Sequence, residues 1–142
     1  MLRVAHEYSS ELSQLPLMRA AVGEACRRHW DHPADASAIA HLELALTEAA
    51  ANIIEHAYGG AAGRPILLVL EMDGDRATLT LYHEGCDFDP KTAPPPVFNG
   101  SRQGGFGVYM IGRLMDEVRH FRDSDGRCAV RLVKNRTPKE RP

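Results

Sequence analysis

Three short polar segments stand out in this chain of 142 residues. The first, LELALTEAAANIIEHAYGG, carries Glu48, Asn52 and His56 four residues apart. On an α-helix that interval stacks side chains along one side, so a carboxylate, a carboxamide and an imidazole line up. Such a set can supply a base, an oxygen ligand for Mg2+ and a contact for phosphate. The second, LYHEGCDFDP, closes an apolar alternation with His83 and continues through Gly85 and Phe88. The third is Gln103-Gly104-Gly105-Phe106-Gly107. Glycines leading into a helix free backbone N–H groups to face an anion, and the helix dipole assists. No GK[ST] follows, so this is not a P-loop, and the dinucleotide fingerprint would need a preceding parallel strand. Taken singly, each segment also has a plainer reading. They are a solvated helix face, a structural histidine at a strand end, and a flexible hinge.

The elements that must hold these segments are legible from periodicity. Leu2, Val4 and His6 alternate with Arg3 and Ala5 as a first strand would. Leu12, Leu15, Met18, Val22 and Cys26 recur at helical steps, which predicts an amphipathic helix from Glu11 to about Trp30, with Pro16 in its first turn. A second helix runs from Asp35 or Ser37 to about Tyr58, stopped by Gly59 and Gly60. Its apolar stripe of Leu42, Leu46, Ala49 and Ile53 borders the polar one and faces a sheet. Ile66–Met72 and Ala77–Tyr82 form a hairpin around Asp73-Gly74. By alternation His83 shares the apolar face of Leu79 and Leu81, while Glu84 points away with Thr80 and Tyr82. From Cys86 to Gly107 no periodicity survives, and loops of that length in compact domains are usually functional or disordered. A third helix over 108–115 and strands near 117–122 and 127–134 complete the order β-α-α-β-β-loop-α-β-β. The tail from 135 to 142 reads as frayed. The fold class is α+β, a mixed, mostly antiparallel sheet with the helices on one face.

Composition bounds the function. Seventeen Lys and Arg against nineteen Asp and Glu leave a net charge of -2. This argues against a protein that coats nucleic acid or an anionic membrane. No run of about eighteen apolar residues occurs, and MLRVAHEYSS lacks the pattern of a signal peptide. Cys26, Cys86 and Cys128 are odd in number and widely spaced with no CxxC, so they read as reduced thiols in a cytoplasmic protein.

In order along the chain, TEAAANIIEHAY, HEGCDFDP and GGFGVYMIGRLMDEVRH resemble the N box and the two glycine boxes of the GHKL, or histidine-kinase-like, ATPase superfamily. The branch they most resemble is the bacterial anti-sigma-factor serine/threonine kinases of partner-switching systems, over about residues 3 to 134. The resemblance implies a Bergerat-type two-layer α/β sandwich as a single domain over 1–142, binding ATP and Mg2+. Glu48 would be the general base, Asn52 the Mg2+ ligand, and His56 would line the pocket. His83 and Gly85 would meet the adenine, with Phe88 packed nearby. Residues 91–103 would form the ATP lid with Arg102 as its cation. Gly104, Gly105 and Gly107, with Phe106 and Val108, would hold the phosphates. The implied partners are a STAS-domain antagonist as phosphoacceptor, a sigma factor or other regulatory protein, and a second copy in a homodimer.

One position departs from that pattern. The family's first glycine box opens with an Asp that accepts the adenine amino hydrogen, and here His83 stands there. A neutral imidazole offers one acceptor nitrogen, a protonated one none. Loss of a charged acceptor is worth on the order of 1–3 kcal/mol, roughly five- to 150-fold in affinity. A partner-sequestering switch module without ATP turnover is therefore the competing expectation. A sensor histidine kinase fits less well, because the first 35 residues leave no room for a phosphoacceptor hairpin. Gyrase-like, chaperone and mismatch-repair ATPases would need a further transducer domain.

Overall fold

In the computed structural model, residues 1–86 and 106–136 are described. Five strands form one sheet in the order β1-β2-β3-β5-β4. They are β1 (Leu2–Ser9), β2 (Pro65–Met72), β3 (Arg76–His83), β4 (Glu117–Arg122) and β5 (Cys128–Asn135). Every pairing among the described residues is antiparallel, so the parallel component expected of a mixed sheet is not seen there. The topology gives the reason: β5 inserts between β3 and β4 and runs antiparallel to both.

Helix α1 (Leu15–His29) follows a single 3-10 turn at Leu12–Gln14, and α2 (Ala36–Asn52) follows another at Pro33–Asp35. Pro16 lies at the start of α1, where its missing N–H leaves no helical bond unmade. The expected stripe of α2 is the buried one: Leu42 and Leu46 are fully enclosed, and Ala49 and Ile53 nearly so. These pack with Met18, Val22 and Cys26 of α1 and with Leu68, Leu70, Leu79, Leu81 and Leu132 of the sheet in one core. The short helix α3 (Phe106–Leu114) adds Ile111 to it and packs on α2. Alternation along the strands thus places the main core cluster on one sheet face, under the helices, while Val69, Thr80, Ala129 and Val133 are buried on the other. The opposite face carries Arg127 stacked on Tyr82, and Arg119 and Arg131 on Phe121.

Local chemistry fixes the turns. Asp73 Oδ1 accepts from the backbone N–H groups of Asp75 and Arg76, closing the β2–β3 hairpin. Asp123 does the same for the β4–β5 turn, where Gly126 takes φ 83°. The C-terminal end is tied down further than the sequence suggests. Asn135 belongs to β5, and Arg136 donates to Asp35 through Nε at 3.0 Å and Nη2 at 2.9 Å. Residues 135 and 136 are therefore anchored and not frayed. Asp35 is enclosed, so its carboxylate requires that partner.

The cysteines correct a second expectation. Cys86 and Cys128 are joined by a disulfide, with Cα atoms 5.5 Å apart, and only Cys26 is a free thiol. Spacing of 42 residues conceals the pair. The β3–β5 register reveals it, because Cys128 lies directly opposite His83.

Candidate functional site

Glu48 and Asn52 lie one turn apart on α2, half-buried beside its core stripe. Beyond Asn52 the helix widens into a π turn over Ile53–Ala57, closed by the Tyr58 N–H donating to the Ile53 carbonyl at 2.8 Å. That turn interrupts the four-residue stacking, so the exposed His56 does not simply extend the line of Glu48 and Asn52. Gly59 and Gly60 then leave the helix with φ 58° and 81°, which other residues adopt only with strain.

The widened turn meets the end of β3. A Cβ on Gly85 would lie 2.5 Å from the Ala57 carbonyl oxygen and 2.7 Å from its carbon. Glycine is required here because the end of α2 sits against the strand end, whatever else the position contacts. Tyr58 locks the same junction. Its hydroxyl donates to the Pro65 carbonyl at 2.6 Å and accepts from the Glu84 N–H at 2.8 Å. Burial pushes that hydroxyl's pKa up, which keeps it protonated for both bonds. Arg64 stacks on the Tyr58 ring at 4.8 Å and lies 3.9 Å from Glu84.

His83 lies on the apolar face as expected, only 7% exposed, with its ring edge-on to Tyr58 at 6.0 Å. Burial, aided by the charge of His120, lowers its pKa to about 4, so it is neutral near pH 7. Its Nδ1 accepts from the Gly85 N–H at 3.2 Å. That bond assigns the proton to Nε2 and occupies the single acceptor nitrogen. The ring thus presents a donor where the sequence reading looked for an acceptor. Glu84 is exposed and offers no replacement on the apolar side.

The structure therefore brings His83 and Gly85 against the end of the helix that carries Glu48, Asn52 and His56. Phe106, Gly107 and Val108 form the first turn of α3, whose backbone alone is described there. Phe88, Arg102, Gly104, Gly105 and the expected lid at 91–103 fall outside the described residues. Tyr58, Arg64 and the cysteine pair were not singled out by sequence reasoning. Tyr58 could have been suspected from its place at the end of a motif just before two glycines. The others require the fold.

The model of the histidine kinase-like ATPase domain matches residues 8–134. Among curated relatives, the serine-protein kinase RsbW of Bacillus subtilis is 32% identical over 89 residues, covering 57% of this chain and 56% of that protein. RsbW of Halalkalibacterium halodurans is 30% identical over 97 residues, covering 61% and 57%. RsbW of Listeria innocua is 30% identical over 94 residues, covering 61% and 60%. The matched region thus spans between half and two thirds of these relatives. A solved structure of the RsbU and RsbW domains of a Mycobacterium tuberculosis protein overlays with a TM-score of 0.65 at 18% identity. It covers 96% of this chain and 33% of that one, a likeness of fold. With 8–134 matched and the two-layer architecture in place, the chain belongs to the histidine kinase-like ATPase domain family.

Proposed function

We propose that the chain is a serine/threonine protein kinase of a bacterial partner-switching system. In this reading it binds Mg·ATP and phosphorylates a serine of a STAS-domain antagonist. It also sequesters a sigma factor or other regulatory protein, acting in the cytoplasm as a homodimer without nucleic acid or membrane as partners. The observation that carries the reading is the Glu48–Asn52 pair, one helical turn apart beside the core stripe of α2 in a chain of this family. Asn52 offers a hard oxygen donor at a half-buried helix edge, which suits a Mg2+ that takes most of its ligands from phosphates and water, and Glu48 one turn before it offers a carboxylate base. Bound Mg·ATP would supply the transferable phosphoryl group.

Within that scheme Glu48 accepts the proton of the acceptor serine as its oxygen attacks, and Asn52 holds the metal. His56 lines the pocket, and Gly85 with His83 forms its base-binding end. By the family resemblance, Phe88 and Arg102 would belong to the same pocket, and Gly104, Gly105, Phe106, Gly107 and Val108 would serve the phosphates. The test is E48A assayed with radiolabelled ATP and candidate STAS proteins. Transfer should vanish while Mg·ADP binding persists; unaltered transfer would sink the assignment.

A second reading is favoured by a specific observation, the occupied acceptor nitrogen of His83. Here the chain is a partner-sequestering switch that no longer turns over ATP. Calorimetry with Mg·ADP separates the two, since absence of binding at millimolar nucleotide supports the switch.

A further inference from the structure

We propose that Cys86 and Cys128 form a reversible thiol–disulfide pair that sets the affinity of the nucleotide site; this rests on the nucleotide-binding reading above. The Cα separation of 5.5 Å lies within the range a disulfide spans without backbone movement. Cys128 is the register partner of His83, and Cys86 follows His83 by three residues. The bond therefore closes a small ring around Glu84 and Gly85, tying the end of β3 to the start of β5. Inside that ring the chain is already folded back. The Gly85 N–H donates to His83 Nδ1, and the Cys86 N–H donates to the Glu84 carbonyl at 3.0 Å.

Glu84 and Gly85 are also held from the other side, by the helix end. Gly85 abuts the Ala57 carbonyl, and the Glu84 N–H donates to the Tyr58 hydroxyl. The disulfide is thus one of two clamps on the segment that would meet the base, and the one that redox chemistry can remove. Both cysteines are half-buried, within reach of small reagents. Cys26 differs: it is fully enclosed in the core and its thiol is pushed up to about 12, chiefly by burial. It is an internal non-participant.

The chemistry balances with a small-molecule disulfide as oxidant. One protein thiolate attacks it, forming a mixed disulfide and expelling one thiolate. The second cysteine then displaces the other, so two electrons leave the protein pair and two protons are released. A dithiol reverses the exchange and is itself oxidised to a cyclic disulfide. With the bond intact the segment from His83 to Cys86 is pre-ordered; with it reduced, bound nucleotide must order that segment. The expected effect is about tenfold weaker binding on reduction, which corresponds to about 1.4 kcal/mol. Linkage is reciprocal, so saturating nucleotide should lower the pair's midpoint potential by about 30 mV.

The test uses the full chain equilibrated with glutathione disulfide or dithiothreitol, alkylated and mapped by mass spectrometry, with Mg·ADP affinity measured in each state. Expected are protection of Cys86 and Cys128 under oxidation and the tenfold affinity difference. C86S and C128S should bind as reduced protein under both conditions, and C26S should switch like wild type. Both cysteines remaining alkylatable after oxidation would overturn the pair. Equal, measurable affinities in the two states would overturn the coupling and leave the nucleotide reading standing. Absence of binding in both states would overturn that reading and the coupling with it, while the thiol map still reports whether the pair forms.

Discussion

Replacing His83 by Asp should tighten nucleotide binding, and the size of the gain follows from the bonds at the end of β3. In the wild type Nδ1 is engaged by the Gly85 N–H at 3.2 Å, so the ring has no second acceptor for an adenine amino group. An Asp has two acceptor oxygens. One can take over the Gly85 N–H in the i to i+2 pattern that Asp adopts in turns, leaving the other for the base. A hydrogen bond to a charged group contributes about 1.5–3 kcal/mol, so H83D should bind Mg·ADP roughly ten- to 150-fold more tightly. The carboxylate must sit where the native residue is only 7% exposed. Burying it in the empty protein should therefore cost about 1–3 kcal/mol of stability, and melting temperature should fall without nucleotide and recover with it. H83N is the control. Its single amide oxygen can serve Gly85 or the base but not both, so it should gain little. Calorimetry of the three proteins at pH 7 checks the reasoning. If H83D binds no better than wild type, or H83N improves as much, the acceptor account is wrong.

Stability should also depend on pH through His83. Its folded pKa of about 4 lies below the ordinary 6.5, so between these values the unfolded chain takes up a proton that the folded chain does not. Stability is retained above about 6.5 and falls as the pH drops toward 4; urea unfolding should show a loss of about 2 kcal/mol from pH 7 to 5 that H83N lacks. G85A should destabilise by about 1–3 kcal/mol, because its Cβ would meet the backbone of Ala57 at 2.5 Å and no flexible side chain can yield. R136M should destabilise by about 3–5 kcal/mol by leaving Asp35 enclosed without its guanidinium partner. Thermal melts of each single variant measure both.

How far the sequence shows this molecule depends on whether an interaction is local. The Leu42, Leu46, Ala49, Ile53 stripe emerged because helical periodicity depends on neighbours a few positions away. The Asp73-Gly74 hairpin emerged because its turn is closed by Asp73 itself. By contrast, the insertion of β5 between β3 and β4 is a choice among distant partners, and alternation looks the same for any of them. Whatever depends on that choice was hidden with it. The disulfide needs the opposition of His83 and Cys128, and the anchoring of Arg136 needs Asp35, 101 residues away. Glu48 and Asn52 stood out by residue type and spacing, and His83 by the resemblance of its segment to a glycine box. The direction of His83's proton did not, because it is set by where the Gly85 N–H points once the strand ends.

The disulfide and the direction of His83's proton converge on the segment from His83 to Cys86, and this has an energetic consequence. The Gly85 N–H reaches His83 Nδ1 in a segment where Gly85 lies against Ala57 and Glu84 is held by Tyr58. A substitution that moves Gly85 away from α2 therefore also alters the partner that position 83 must satisfy. G85A and H83D should accordingly be non-additive. Sites sharing one hydrogen bond typically couple by about 0.5–3 kcal/mol, whereas independent sites add to within about 0.3–0.5 kcal/mol. The sign follows from the geometry. Once G85A has displaced the N–H, an Asp at 83 loses the donor that helped offset its burial, so the double variant should be less stable than the sum of the singles. A double-mutant cycle by urea unfolding in the absence of nucleotide measures this. Additivity within error would mean that the strand end and the helix end are held independently, and that His83's proton is not fixed by the Ala57–Gly85 contact.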